Sequence, residues 1–203
     1  MTDAASWVER HAAAATSWDT TPNQFVEAAC RGLRPGVALD VGAGEGANAI
    51  WLSGRGWRVT AVDRETVSVG RIQSRSALLA HPVDAIVADA AWYRPRRDWF
   101  DLILLSYLEL PEPQLRRVLA NCVPGLAGGG TLLVVGHDAS NLDSGWGGPG
   151  DPDLLTTPAH LADLLTHLGL EVRRAEVVRR QVPDDVGFHI ALDHVVEAVR
   201  PAA

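Results

Sequence analysis

Three glycines, Gly42, Gly44 and Gly46, follow the apolar run Val37–Val41, and the acid Asp63 closes a second apolar run beginning at Trp57. A glycine turn between a strand and a helix lets backbone amides approach a ligand closely, and an acid about 20 residues on can take the paired hydroxyls of a ribose. The implied chemistry is the holding of an adenosine-containing cofactor. Ala47 can serve as the third small position of a dinucleotide fingerprint, so the glycines alone leave the cofactor open. Three other features favour S-adenosylmethionine. Asp40 lies inside the first run, just before the glycines. Asp89, in "IVADAAW", ends another apolar run and can face an adenine amino group. Finally, the chain closes with two strand-like runs where a dinucleotide enzyme needs a second mononucleotide-binding half.

Bringing these acids to one edge requires strands that all point the same way. Strand-like runs stand at Val37–Val41, Trp57–Asp63, Val83–Asp89, Phe100–Tyr107, Thr131–Asp138, Leu170–Arg180 and Phe188–Arg200. Helix-period segments fill the gaps at Ala47–Ser53, Glu65–Ala80, Glu112–Val123 and Pro158–Leu168. Such alternation predicts an α/β, doubly wound, seven-stranded, mostly parallel sheet of Rossmann-like type, with helices on both faces. The last helix has the clearest boundaries, with Thr157 to cap it, Pro158 for the first turn and Gly169 for a left-handed stop. The final two runs are joined by a short Pro-Asp-Asp and Gly segment, so they form an antiparallel C-terminal hairpin. Residues 1–203 read as one domain, a helical cap over 1–36 and a core over 37–203. The cap has helical stretches around Ala12 and Phe25. The segment from His137 to Pro158 is unusually long for a loop and is expected to be a mobile lid over a ligand.

Composition narrows the chemistry. All 18 basic residues are arginine, so lysine Schiff bases, pyridoxal-phosphate anchors and Walker-type phosphate sites are excluded. A net charge of -7 opposes binding to nucleic acid, and the basic spots "YRPRRDW" and "EVRRAEVVRR" read as solvated faces. No apolar run is long enough to span a membrane and the N-terminus lacks the phases of a secretory signal, so a cytoplasmic protein is expected. Cys30 and Cys122 lie far apart in helix-like surroundings, as buried apolar residues rather than a disulfide or zinc pair.

The glycine turn with Asp40, Asp63, Asp89 and the closing hairpin resembles class I S-adenosylmethionine-dependent methyltransferases over most of the chain. Within them, "SWDTTPNQFV" and "GEGANAIWLSGRGWRVTAVD" are similar to the small bacterial tellurite-resistance and thiopurine methyltransferase type. Ala47 departs from those relatives, which often carry arginine there. The resemblance implies that Gly42, Ala43 and Gly44 run beside the methionine part of the cofactor. It implies that Asp63 takes the ribose, Arg64 flanks the adenine, and Asp89 with Ala90 addresses the adenine edge. It places Ser106 and Tyr107 near the transferred methyl and lets Trp18 close over the cofactor.

Transfer of a methyl group from a sulfonium is an in-line displacement with a neutral leaving group, so alignment and exclusion of water are the protein's chief tasks. A base is needed only where the acceptor loses a proton during attack. His137, ending the fifth strand, is a base or a positioning group, with Asp138 available to orient it, and Tyr107 is a positioning group. The acceptor pocket is expected to be lined by Trp18, Tyr107, His137, Asn141 and Trp146. It should be aromatic and largely uncharged, suited to a small-molecule sulfur, oxygen, nitrogen or chalcogen nucleophile, with no metal. The alternatives are an NAD(P)-dependent oxidoreductase and a non-catalytic S-adenosylmethionine-binding module. The oligomeric state, monomer or homodimer, is open.

Overall fold

The computed structural model describes residues 21–184 and 187–202. The expected helix around Ala12, Trp18, and part of the hairpin turn lie outside the described residues. A short helix, α1 (Gln24–Cys30), comes first. It is capped by Asn23, whose side-chain oxygen accepts from the amides of Phe25 and Val26. Alternating elements follow: β1 (Val37–Val41), α2 (Ala47–Gly54), β2 (Arg58–Asp63), α3 (Thr66–Ser76), β3 (Asp84–Val87), β4 (Phe100–Ser106), α4 (Glu112–Cys122) and β5 (Leu126–His137). After β5 come the single turn α5 (Asn141–Ser144), a 3-10 turn at Pro152–Leu154, α6 (Pro158–His167), and the long strands β6 (Glu171–Asp184) and β7 (Gly187–Val199).

The seven strands form one sheet in the order β3-β2-β1-β4-β5-β7-β6. All neighbours are parallel except those of β7, which runs antiparallel to both β5 and β6. Chain order reverses between β1 and β4, and beyond the carboxyl ends of these strands an open sheet leaves a crevice. β1 is central and buried, and so are Leu102 to Leu105 of β4. That burial explains why both read as near-continuous apolar runs. One apolar cluster packs β4 and β5 against α4 and α6, including Ile103, Leu119, Leu132 and Leu161. On the other face, Leu52, Ile72, Leu104 and Val26 belong to a second cluster that includes α1.

Helix boundaries follow the expected signals. Thr157 caps α6 by accepting from the His160 amide, Pro158 starts it, and Gly169 beyond it takes φ 84°. α3 ends at Ser76, short of the expected Ala80. β5 starts at Leu126, well before the expected Thr131, because Leu126 already pairs with Phe100; the register then shifts, with Gly129 at φ 81°, before Thr131 pairs with Leu102.

Candidate active site

The cofactor end is made almost wholly by backbone. The amides of Gly42 and Ala43 both donate to the carbonyl of Val62, which folds the turn after β1 back onto β2. Gly42, Gly44 and Gly46 all have positive φ, but their surroundings differ. A Cβ at Gly42 would strike Leu108 at 2.7 Å and one at Gly46 would strike Ile72 at 2.5 Å, whereas one at Gly44 would meet nothing within 4 Å. Gly44 therefore presents the open side of the turn. Its amide donates to Asp63 Oδ2 at 2.8 Å, while Asp63 Oδ1 accepts from the Glu65 amide at 2.9 Å. The half-buried Asp63 carboxylate thus stands fixed beside the turn, with lone pairs left for hydroxyl donors.

Asp40 lies beneath this arrangement, 1% exposed, and its Oδ2 has no hydrogen-bond partner among the described residues. Burial, and secondarily the neighbouring Asp63 carboxylate, push its pKa up to about 7 against the opposing Ala49 amide. A cationic or hydrogen-bond-donating group at the turn would relieve that orphaned oxygen, as the sulfonium-bearing amino acid part of S-adenosylmethionine could. The open face at Gly44 and the fixed Asp63 fit the same cofactor. Asp89 reaches the same edge through the pairing of Val87 with Asp63. One oxygen of its exposed carboxylate, Oδ1, accepts from the Ala91 amide at 2.7 Å. Arg64 is exposed and pairs with Glu65. Ala43, Ala90 and Ser106 are half-buried at the same strand ends.

The second half of the crevice is a network of side chains drawn from distant segments. Sheet register places Ser106 opposite Val135, His137 opposite Asp193, and Val178 also opposite Asp193. Tyr107, one residue past β4, takes the left-handed φ of 53°, which is uncommon for a bulky residue and frequent at functional sites. Its hydroxyl donates to Asp193 Oδ2 at 2.6 Å and accepts from Arg180 Nε at 3.0 Å. Arg180 also pairs with Asp193 at 2.6 Å, and its Nη2 stands 3.3 Å from His137 Nε2. His137 Nδ1 meets Glu109 Oε1 in a short contact, and the His137 and Tyr107 rings meet edge to face. Burial, followed by Asp193, drives the Tyr107 hydroxyl well above its ordinary pKa. Asn23, Tyr107, His137, Trp146, Gly147, Gly148, Arg180 and Val182 enclose an open pocket of about 360 Å³.

Tyr107, His137 and Trp146 are thus brought together as expected, but other expectations need correction. Asn141 does not line the pocket. It is 3% exposed and tied down, donating to the Gly147 carbonyl and accepting from the Leu192 amide. His137 is oriented by Glu109 and not by Asp138, whose Oδ1 accepts from the amide and hydroxyl of Ser140. The pocket is charged where it was expected to be largely neutral. Arg180, read as part of a solvated face, turns inward to the buried Asp193. The loop after β5 is also tied down rather than free: Ala139 bonds to Thr156, and the Trp146 ring stacks on His189 with centroids 3.6 Å apart.

Glu109, Arg180 and Asp193 escaped sequence reasoning because their partners lie far away in the chain. The one available signal was Asp193, an acid directly after the apolar run Ile190–Leu192. Among the described residues, no group of three or more histidines, cysteines or acids could hold a metal ion. Cys30 and Cys122 are free and buried.

Residues 38–130 match a family described as a methyltransferase domain. No curated protein matches the chain. Among solved structures, a S-adenosylmethionine-dependent methyltransferase of Methanosarcina mazei is similar with a TM-score of 0.69 and 16% identity, covering 90% of this chain and 100% of that one. TehB of Haemophilus influenzae is similar with a TM-score of 0.72 and 16% identity, covering 88% of this chain and 62% of that one. The 1,6-didemethyltoxoflavin-N1-methyltransferase of Burkholderia thailandensis, solved with its acceptor and S-adenosylhomocysteine, reaches 0.66 with 21% identity, covering 97% and 86%.

Proposed function

We propose that this chain is a methyltransferase using S-adenosylmethionine, a reading supported by the family match at residues 38–130, and that it methylates a small-molecule acceptor held in the pocket between Tyr107, His137, Trp146 and Arg180. One observation supports this placement of the acceptor: the pocket is lined by Tyr107 and His137 at the carboxyl ends of β4 and β5, and β4 neighbours β1, from whose carboxyl end the glycine turn leaves. In this reading Gly42, Ala43 and Gly44 run along the methionine part, Asp40 faces its cationic group through the turn, and Asp63 takes the ribose hydroxyls. Arg64, Asp89, Ala90 and Ser106 border the adenine and the methyl group. The bound cofactor supplies an electrophilic methyl. Tyr107, locked by Asp193 and Arg180, fixes where the acceptor lies, and His137 positions or deprotonates it.

The single domain spans residues 1–203 in this reading. Free, buried cysteines suit a reducing cytoplasm, and among the described residues no helix is long and apolar enough to cross a membrane. A net charge of -7 favours a small-molecule acceptor over nucleic acid.

Calorimetric titration with S-adenosylhomocysteine tests the assignment. Asp63→Ala should weaken binding by roughly 2 to 3 kcal/mol, because both ribose hydroxyls lose a charged acceptor. Equal affinity would remove Asp63 from the site. Protection against heating by NAD(H) in place of S-adenosylhomocysteine would overturn the methyltransferase reading itself.

A further inference from the structure

Adjoining the acceptor pocket at His137 is a second, more enclosed cavity of about 70 Å³, bounded by Leu108, Glu109, Leu115, Thr156, Leu161 and His194 among others. His137 is the one residue that lines both spaces. Its two nitrogens divide between them. Nε2 meets Arg180, which lines the pocket, and Nδ1 meets Glu109, which lines the cavity.

That division fixes the tautomer. A guanidinium can only donate, so the Nε2 that faces Arg180 Nη2 at 3.3 Å must carry the lone pair. The hydrogen of the neutral ring then sits on Nδ1 and points to Glu109, a carboxylate that accepts it. The cavity beside Glu109 has mostly leucine and valine walls with a few polar groups set in them. His194 Nδ1 and Thr156 Oγ1 are buried with no hydrogen-bond partner among the described residues, and His194 is 4% exposed. These orphaned groups and this volume suit ordered water. The other charged or titratable groups around His137 are Tyr107, Asp193 behind Arg180, Asp138 and His194. Burial drives His194 down to a pKa of about 4, so it stays neutral beside the ring.

We propose that Glu109 is a positioning residue that holds His137 as a general base with its lone pair in the pocket, and that the acceptor is therefore a protic nucleophile, a hydroxyl, phenol or N–H heterocycle. This rests on the methyltransferase reading above. In the reaction, the oxygen or nitrogen pair of the acceptor forms the bond to the methyl carbon as the carbon–sulfur bond breaks. The released electron pair stays on sulfur, turning the sulfonium into a thioether. The acceptor takes the place of Arg180 Nη2 at the Nε2 lone pair while Arg180 keeps its Nε bond to Asp193; the acceptor proton then moves to His137 Nε2, and the imidazolium is balanced by Glu109 until it returns the proton to solvent through the open pocket. Thiolates and chalcogen oxyanions have no such proton to give and would leave the His137–Glu109 pair without a task.

Nitrogen NMR of the full chain carrying isotope-labelled histidine, with and without S-adenosylhomocysteine, provides the test. The expected result is a neutral His137 protonated at Nδ1. Glu109→Gln should lower its proton affinity by roughly tenfold, and Glu109→Asp should restore part of that loss. A wild-type ring protonated at Nε2, or an affinity that Glu109→Gln does not move, overturns the proposal. Should Glu109→Gln not fold, the wild-type tautomer decides.

With S-adenosylmethionine and matched phenol, N–H heterocycle and thiol acceptors, turnover should favour the first two and fall as His137 becomes protonated. In Glu109→Gln that fall should move to lower pH. Turnover confined to thiols and indifferent to Glu109→Gln also overturns it. Failure of S-adenosylhomocysteine to bind would instead strike at the methyltransferase reading, leaving the tautomer result to stand by itself.

Discussion

At the cofactor end of the crevice, Gly42, Gly44 and Asp63 lie within one βαβ unit and are tied chiefly through main-chain groups. At the acceptor end, Asn23, Tyr107, His137, Arg180 and Asp193 arrive from separate segments and hold one another by side chains. The first arrangement is a shape, which a single added methyl can block while the fold survives. The second is a balance of charges, in which a removed partner leaves a buried group uncompensated. Damage at the two ends should therefore look different, with binding lost from one and stability lost from the other.

Gly44→Val probes that contrast most severely. The new side chain would occupy the open face of the turn and remove all measurable S-adenosylhomocysteine binding in calorimetry. The positive φ of 54° costs a branched residue about 1–2 kcal/mol, so a cooperative melt should remain. Retained binding would mean that the turn does not approach a ligand. Arg180→Met is the counterpart at the other end. It leaves the fully buried Asp193 without its cation, at a cost of roughly 2–4 kcal/mol, below the usual upper range because Arg180 is itself only half-buried. Thermal melts should show this loss, adding Asp193→Asn should recover part of it, and the folded protein should still bind S-adenosylhomocysteine. A melt unchanged by Arg180→Met would break the comparison.

The same contrast explains what the sequence made legible. The glycines and Asp63 act through spacing along one segment, and that spacing survives in a one-dimensional string. The five parallel strands were readable for a similar reason, since a buried parallel strand announces itself as an apolar run, and the closing hairpin was readable from its short turn. The partners of Arg180 cannot be read that way. Two arginine pairs on an alternating strand look like a solvated face, and only the register of β7 against β5 and β6 shows that Arg180 meets Asp193 and His137. Asn141 misled for the opposite reason: its amide looked available for a ligand, yet the loop uses it to satisfy its own backbone.

Asp40 sharpens the comparison from the cofactor side, because it is the one charge problem built into the backbone-made end. Its pKa is raised from 3.8 to about 7 by burial and by Asp63. A carboxyl raised on folding favours the native state fully at pH below its unfolded value, and that contribution disappears as pH rises through the folded value. Stability of the cofactor-free protein should thus decline by something on the order of 1 to 3 kcal/mol between about pH 4 and pH 7 on this account. Denaturant titrations across that window should show the decline in the wild type and a flatter profile in Asp40→Asn. An equally steep profile in the variant would assign the slope to other groups.

Trp146 carries the smallest expected effect and tests whether the loop after β5 belongs to the acceptor end at all. The ring is 49% exposed and rests on His189, which pairs with Asp184 on the neighbouring strand. Asn141 pins the same loop through the Gly147 carbonyl, so removing the indole should not release the backbone. What it removes is one aromatic wall of the pocket, worth about 1 kcal/mol to a planar ligand. Trp146→Ala should therefore raise the Michaelis constant of an identified acceptor several-fold while S-adenosylhomocysteine affinity stays at the wild-type value. Hydrogen exchange over residues 141–151 should slow when acceptor and S-adenosylhomocysteine are both present, by less than a free lid would show, because the loop is already tied at Asn141. An unchanged Michaelis constant together with exchange indifferent to ligand would place acceptor recognition on Tyr107, His137 and Arg180 alone, and the loop would then be a structural cover for the β6–β7 hairpin.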